Sequence, residues 1–361
     1  MSDIDITINS QDLKDPRIDD VLNLQRSAQP QAGEKIEVVK PPFYYNPIFY
    51  YCLAATLGTL MVWFISEPFM DERRHSHESH IPFLSDYLLF GPVAGVLSLS
   101  LGIVYGFVNR NWRQALTCGV VGLGVGLGTT LVTTFIADII FGLAGNIAVS
   151  IHPVRPEDLK PGEFPFKGMS FFIFMCGRGI AWSVISMGAG LGLGVALKSK
   201  KLLLNGFVGG MIGGLLGGLF FDPISRFMIS DTGSGWLSRC VGFTAVGVFV
   251  GLFIGIFENI SKEAWLQMLK GPLQGKHFIL FKPSMRIGSS PKSDIYLFKD
   301  PDIAPLHALV VRSGKRYMIQ DERSEKGVFV NGRKVDKYIL QPNDTVTIGE
   351  TVLRYSEKVR S

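Results

Sequence analysis

The residues able to do chemistry in this 361-residue chain are few, and most stand at the ends of long apolar runs. Glu67, Asp138 and Asp222 each close a run of bulky apolar residues, in FISEP, FIADI and FFDPI. Arg178 and Arg239 each open one. Acid and base in such places can pair between neighbouring segments while staying partly hydrated, which predicts interfacial braces; ion gating is the alternative chemistry. A second cluster, DERRHSHESH, sets His75, His77 and His80 near Glu72 and Glu78. Imidazole with carboxylate suits Zn²⁺ or Cu²⁺. The spacing follows no strict site pattern and the stretch is polar throughout, so the expectation is a solvated loop and no metal. Cys52, Cys118, Cys176 and Cys240 lie inside apolar runs without a partner at ligand or disulfide spacing, and read as small buried hydrophobes. There is no GxSxG, P-loop, HExxH or kinase signature. The chain therefore reads as no enzyme, with no cofactor.

Those groups must be positioned by a membrane unit. Hydrophobic residues make up 47% and charged residues 19%, and the shortage of charge is confined to the middle of the chain. Six apolar stretches follow in series: Pro47–Ile65, Tyr87–Val108, Gln114–Ile136, Gly168–Leu197, Leu202–Phe221 and Trp236–Phe257. Each approaches or exceeds the ~20 residues that cross a bilayer as a helix. Too little polar sequence remains to cover six of them in a soluble core. Ile139–Val149 is too short to span and reads as an interfacial or re-entrant helix. The predicted organisation is a disordered tail at 1–45, a six-helix transmembrane domain at 46–258, an amphipathic helical linker at 259–275 and a β-domain at 276–357. Residues 1–40 have no apolar core, so the run near Ile48 is expected to act as signal-anchor. The basic turns Asn109–Arg113 and Lys198–Lys201 should face the cytoplasm, which puts both termini there too.

The runs beginning at Arg178 and Arg239 repeat at an offset of 61, pairing Ser183 with Thr244, Gly190 with Gly251 and Gly194 with Gly255. Such similarity signals repeated helical hairpins, an architecture transporters also use. In NGFVGGMIGGLLGGLFFDP the pairs Gly209/Gly210, Gly213/Gly214 and Gly217/Gly218 recur every four residues. On a helix they form a stripe without side chains, suited to tight helix packing or homo-oligomerisation; a backbone-lined pore is the alternative.

From Lys276 the sequence turns to short β-rich runs separated by Gly, Asn, Asp and Pro: HFILF, DIYLF, HALVVR, RYMIQD, GVFVNG, DTVTIG and TVLRY. This spacing predicts an all-β sandwich or barrel, with Asn331-Gly332 as a hairpin turn. The order of an IG turn, a DI strand, a strand-end His, a D…S…G loop, a VNG turn and a final D-x-V-x-IG segment resembles the forkhead-associated (FHA) family over about the last quarter of the chain. The resemblance implies a two-sheet β-sandwich whose loops at one end bind phosphothreonine. It also implies which positions matter, and three of them depart from the family pattern. Ser289 stands where the family has Arg, Ala304 where it has Ser, and Lys326 where it has Asn. Gly288, His307 and Gly327 fit the pattern and imply turns and a loop brace. Arg286, Ser289, Ser290 and Lys326 could still supply donors to an anion, with Asn331 counted among the loop residues. Three outcomes stay open: phosphothreonine binding, a phosphate-independent protein contact, or a structural cap.

Residues 271–361 carry 16 Lys and Arg against 10 Asp and Glu, a net +6. No basic face with interleaved aromatics appears, which speaks against nucleic acid; attraction to an anionic inner leaflet is the plainer account. The expected partners are the lipid bilayer, a cytoplasmic protein, phosphorylated or not, and a second copy of the chain. The first functional reading is a membrane-anchored scaffold that recruits a cytoplasmic partner through its FHA-like domain. The alternative is a transporter or channel subunit regulated by that domain.

Overall fold

The structure, a computed structural model, describes residues 41–72, 82–153, 164–228, 236–314 and 316–358. It divides into two compact units, with Phe43–Ser261 forming the helical one. After a 3-10 turn at Phe43–Tyr45 come six helices: α1 Pro47–Glu72, α2 Pro82–Val108, α3 Trp112–Ile151, α4 Gly168–Ala196, α5 Lys200–Met228 and α6 Trp236–Ser261. Five are long and apolar enough to cross a membrane. The apolar part described in α2, Pro92–Val108, is shorter. Each helix packs on its neighbours in sequence, and α6 returns to pack on α1. Large apolar side chains such as Phe64, Val120, Leu131 and Phe172 stay exposed along the outer faces, as lipid contact requires.

The two basic turns are built alike. The chain leaves α2 through Arg110 and α4 through Lys198, both at φ +51°. That left-handed conformation closes a helix, and the next residue caps the following one. Asn111 Oδ1 accepts from the Gln114 amide at 3.1 Å, and Ser199 Oγ from the Leu202 amide at 3.3 Å.

Two expectations are corrected. The stretch Ile139–Val149 is no separate element but the continuation of α3, a single helix of 40 residues. Nothing after Asp138 breaks it until His152-Pro153, since a residue before proline is steered out of the helical region. The segment 259–275 is no helical linker either. Helix α6 ends at Ser261, and β1, Ala264–Lys270, is a strand of the C-terminal domain, with Leu266, Met268 and Leu269 buried.

That domain places β1 beside β2 (His277–Ile279), in a six-stranded sheet ordered β2-β1-β11-β10-β7-β8. The other members are β7 (Val328–Val330), β8 (Arg333–Val335), β10 (Thr345–Ile348) and β11 (Thr351–Glu357). A five-stranded sheet runs β4-β3-β5-β6-β9. Its strands are β3 (Ser284–Gly288), β4 (Ile295–Tyr296), β5 (Ala308–Ser313), β6 (Arg316–Asp321) and β9 (Lys337–Ile339). Alternating residues fill the core: Met285 and Ile287 of β3, Ala308 and Val310 of β5, Val346 and Ile348 of β10, Leu353 and Tyr355 of β11.

Candidate recognition site

Three loops meet at one end of the β-domain: β3–β4, β4–β5 and β6–β7. Gly288 lies against the β4–β5 loop so closely that a Cβ would collide with the Pro305 carbonyl oxygen. Backbone hydrogen bonds then stitch the loops: the Ser289 amide donates to Ala304 O at 3.0 Å and the Ser290 amide to Pro305 O at 3.3 Å. Ser293 Oγ adds a bond to Pro305 O at 3.2 Å. His307 is fully buried and ties the third loop in. Its Nδ1 accepts from the Ala304 amide at 3.1 Å, so the proton sits on Nε2, which donates to Gly327 O at 3.1 Å. Gly327 needs its positive φ of +80°, and Ser324 Oγ accepts from its amide at 3.0 Å.

The structure therefore brings Ser289, Ser290, Ala304 and Lys326 to one end, around a rigid brace. Two of the cations near these loops have partners. Lys326 Nζ lies 3.8 Å from Asp302 Oδ1. Arg286 is half exposed on β3; it donates from Nη2 to Lys292 O at 2.8 Å, and its Nε lies 3.9 Å from Asp294. Asn331 sits elsewhere, beyond the far end of β7. Its Nδ2 donates to Asp344 Oδ1 at 2.7 Å, and its Oδ1 accepts from the Thr345 amide at 2.9 Å. At φ +51° it forms the hairpin turn and stays remote from the loops.

Sequence reasoning missed the junction around β1. Lys262 Nζ lies 2.9 Å from His277 Nδ1 and 3.8 Å from the Trp265 ring centroid. Burial, and then the Lys262 charge, push His277 down from 6.5 to about 4. The imidazole is therefore a neutral acceptor at ordinary pH. Only the pairing of β1 with β2 as strands brings these residues together.

In the helical unit the glycine pairs split between two neighbours. An added Cβ at Gly209 or Gly217 would lie 2.7 Å from the Cα of Ile254 or Val246 on α6, and at Gly213 it would strike Val250. Gly210, Gly214 and Gly218 face Ser186, Trp182 and Gly179 on α4 instead. The stripe is consumed inside the chain, one residue of each pair per neighbour. At the helix ends opposite the basic turns, Arg178 Nε lies 2.8 Å from Asp222 Oδ1, and Arg239 binds Glu67 with two nitrogens. Among the described residues no group of His, Cys, Asp and Glu could hold a metal; the cluster at His75–His80 falls outside them.

With braced loops at one end of two packed sheets, the C-terminal domain is FHA-like. A family described as the inner membrane component of T3SS, cytoplasmic domain, has a model that matches residues 267–358. That family and the FHA fold are of non-enzymatic kinds. Among curated relatives, the glycogen accumulation regulator GarA of Mycolicibacterium smegmatis is 34% identical over 90 residues, 25% of this chain and 56% of that protein. The chain thus spans little more than half of GarA. Among solved structures, the FHA domain of CT664 from Chlamydia trachomatis is 29% identical, with 27% of this chain and 99% of that one covered and a TM-score of 0.25. The cytoplasmic domain of the T3SS sorting platform protein PscD from P. aeruginosa is 22% identical, covering 27% and 83%, also at a TM-score of 0.25.

Proposed function

We propose that this chain is a membrane-anchored scaffold, with both termini cytoplasmic, whose FHA-like domain captures a cytoplasmic protein through a contact that needs no phosphothreonine and catalyses nothing. The description of the matching family supports a place in a multi-component membrane assembly. One observation carries the phosphate-independent reading. The loop end keeps the family's braces but holds Ser289, Ala304 and Lys326 at the ligand positions, and Lys326 and Arg286 there lie beside Asp302, Asp294 and Lys292 O. A phosphate is best held by a guanidinium fork and charge-assisted donors. Losing two such contacts, at ~1.5–3 kcal/mol each, weakens a micromolar complex by roughly 10²–10⁴-fold.

The transporter alternative gains no support from the glycines, because neighbouring backbone fills the stripe a backbone-lined conduit would use. Calorimetry of residues 262–361 against a phosphothreonine peptide library should show no binding, while partner capture by the full chain should survive phosphatase. Micromolar, phosphate-dependent binding by the unmodified domain would overturn the reading. A reporter fused after Ser361 tests the topology: activity on the far side of the membrane would remove the cytoplasmic partner altogether.

A further inference from the structure

The two ion pairs at the helix ends occupy equivalent places in the repeat, yet they are built differently. Arg239 takes both oxygens of Glu67: Nε donates to Oε2 at 2.9 Å and Nη2 to Oε1. Arg178 meets a carboxylate one methylene shorter and touches it only through Nε. That Nε contact is an ion pair without hydrogen-bond geometry, neither Nη group makes a hydrogen bond among the described residues, and Asp222 Oδ2 is buried without a donor. Three rings close on the guanidinium instead, with Phe141, Phe174 and Phe221 centroids 4.8, 5.2 and 5.1 Å from Cζ. One helical turn beyond Asp222, the exposed Arg226 lies 5.3 Å over the ring of Phe171. Asp222 fixes the direction of the Arg178 fork, and the rings strip water from its faces. Among the described residues the Arg178 Nη groups and Arg226 donate no hydrogen bond, and a pair of arginines with such donors is the equipment that grips a phosphate ester.

Their depth in the membrane names the source of that phosphate. Arg178 lies eighteen residues from Ala196, where α4 ends, or about 27 Å along the axis. Asp222 lies twenty-two residues from Lys200, where α5 starts, or about 33 Å. Hydrocarbon is ~30 Å thick, so a bundle whose basic turns sit at one headgroup layer places Arg178 and Arg226 at the other. We propose that Arg178 and Arg226 bind the phosphate of a phospholipid in the outer leaflet, an inference that rests on the membrane reading above.

The test uses the full chain purified in a phosphate-free detergent, with retained phospholipid counted by native mass spectrometry. The same protein is titrated with dihexanoyl phosphatidylglycerol while its melting is followed. Wild type should keep one phospholipid that Arg226→Gln loses. The double variant Arg178→Gln/Asp222→Asn, which leaves no carboxylate alone, should lose it too. Apparent affinity for the short-chain lipid should fall at least tenfold in both, with inorganic phosphate inert. Equal lipid retention by wild type and Arg226→Gln overturns the proposal, and so does inorganic phosphate raising the melting temperature as much as the lipid. Recovery of the protein without detergent would instead defeat the membrane reading, so the two failures are distinguishable.

Discussion

Replacing glycine by alanine in a helix ordinarily stabilises it by about 0.5–1 kcal/mol, because glycine loses more backbone freedom on folding. Two glycines of this chain should answer oppositely. A Cβ at Gly124 of α3 meets nothing within 4 Å, so Gly124→Ala should keep that gain. A Cβ at Gly213 of α5 strikes the Val250 Cα and lies 2.7 Å from both Phe249 O and Val250 N. These are backbone atoms that no rotamer change can move. To relieve them, α5 and α6 must part by about 1 Å, and a gap of that size forfeits a quarter to a half of each affected contact well. The loss falls on the adjacent approaches Gly209 to Ile254 and Gly217 to Val246. Overpacking of this kind costs about 1–3 kcal/mol. Together with the gain at Gly124, the two variants should differ by about 1.5–4 kcal/mol, or roughly 3–16 °C in melting temperature for a unit this size. Scanning fluorimetry of the detergent-solubilised full chain reads this directly. If Gly213→Ala melts at or above Gly124→Ala, the stripe does not carry the packing.

Three further outcomes are expected. A fragment starting at residue 271 loses β1, with buried Leu266 and Met268, and should stay unfolded by circular dichroism; a fragment starting at Lys262 should fold. His277 is held neutral down to about 4 against 6.5 unfolded, so between those values the unfolded chain binds the extra proton. The stability difference between wild type and His277→Gln should therefore be flat above pH 6.5 and shrink as pH falls towards 4, in denaturant titrations of residues 262–361. The triple change Ser289→Arg, Ala304→Ser, Lys326→Asn should create phosphothreonine affinity measurable by calorimetry, and its absence would show the loop frame to be misaligned.

Much of the architecture was legible because it depends on spacing. Glycine pairs four apart must share a helix face, and acids and arginines at the ends of apolar runs must lie near one boundary. The FHA frame was legible because its turns each need a particular residue, such as Asn331 at positive φ. What failed depended on partners distant in sequence. ENISKEAWLQMLK is rich in good helix formers, and a short apolar run fits a period of 3.6 or of 2. Only β11 and β2 on either side decide for a strand, pairing Leu266 with Tyr355 and with Phe278. The length of α3 failed for a different reason. The thickness of a bilayer suggests an end near Ile136, but a helix ends where its backbone hydrogen bonds do, and one acid near a boundary removes none of them. Asn331 was placed among the binding residues on its motif, and only the geometry of Asp344 and Thr345 reveals its side chain as turn structure.

The repeat explains why α6 returns to α1. In the α4–α5 hairpin, Arg178 meets Asp222 at one end, and sixteen residues on, Gly194 meets Leu203, nineteen before Asp222. In the pair formed by α6 and α1, Arg239 meets Glu67, and sixteen residues on, Gly255 meets Ile48, nineteen before Glu67. Between them, Gly190 lies on Gly206, and Gly251 on Tyr51 and Cys52. The first and last helices are thus one more hairpin of the same design, lacking only the turn that would join them. Its open end is where the chain enters α1 and leaves α6. There Tyr51 donates its hydroxyl to Glu258 Oε2 at 2.7 Å, with Tyr50 at 3.4 Å from Oε1, on a carboxylate that is 4% exposed. A covalent turn holds the α4–α5 pair at Lys198–Lys201; this buried tyrosine–glutamate clasp holds the α6–α1 pair at the corresponding end. A closed ring therefore follows from the sequence repeat together with one polar contact that the repeat itself does not contain.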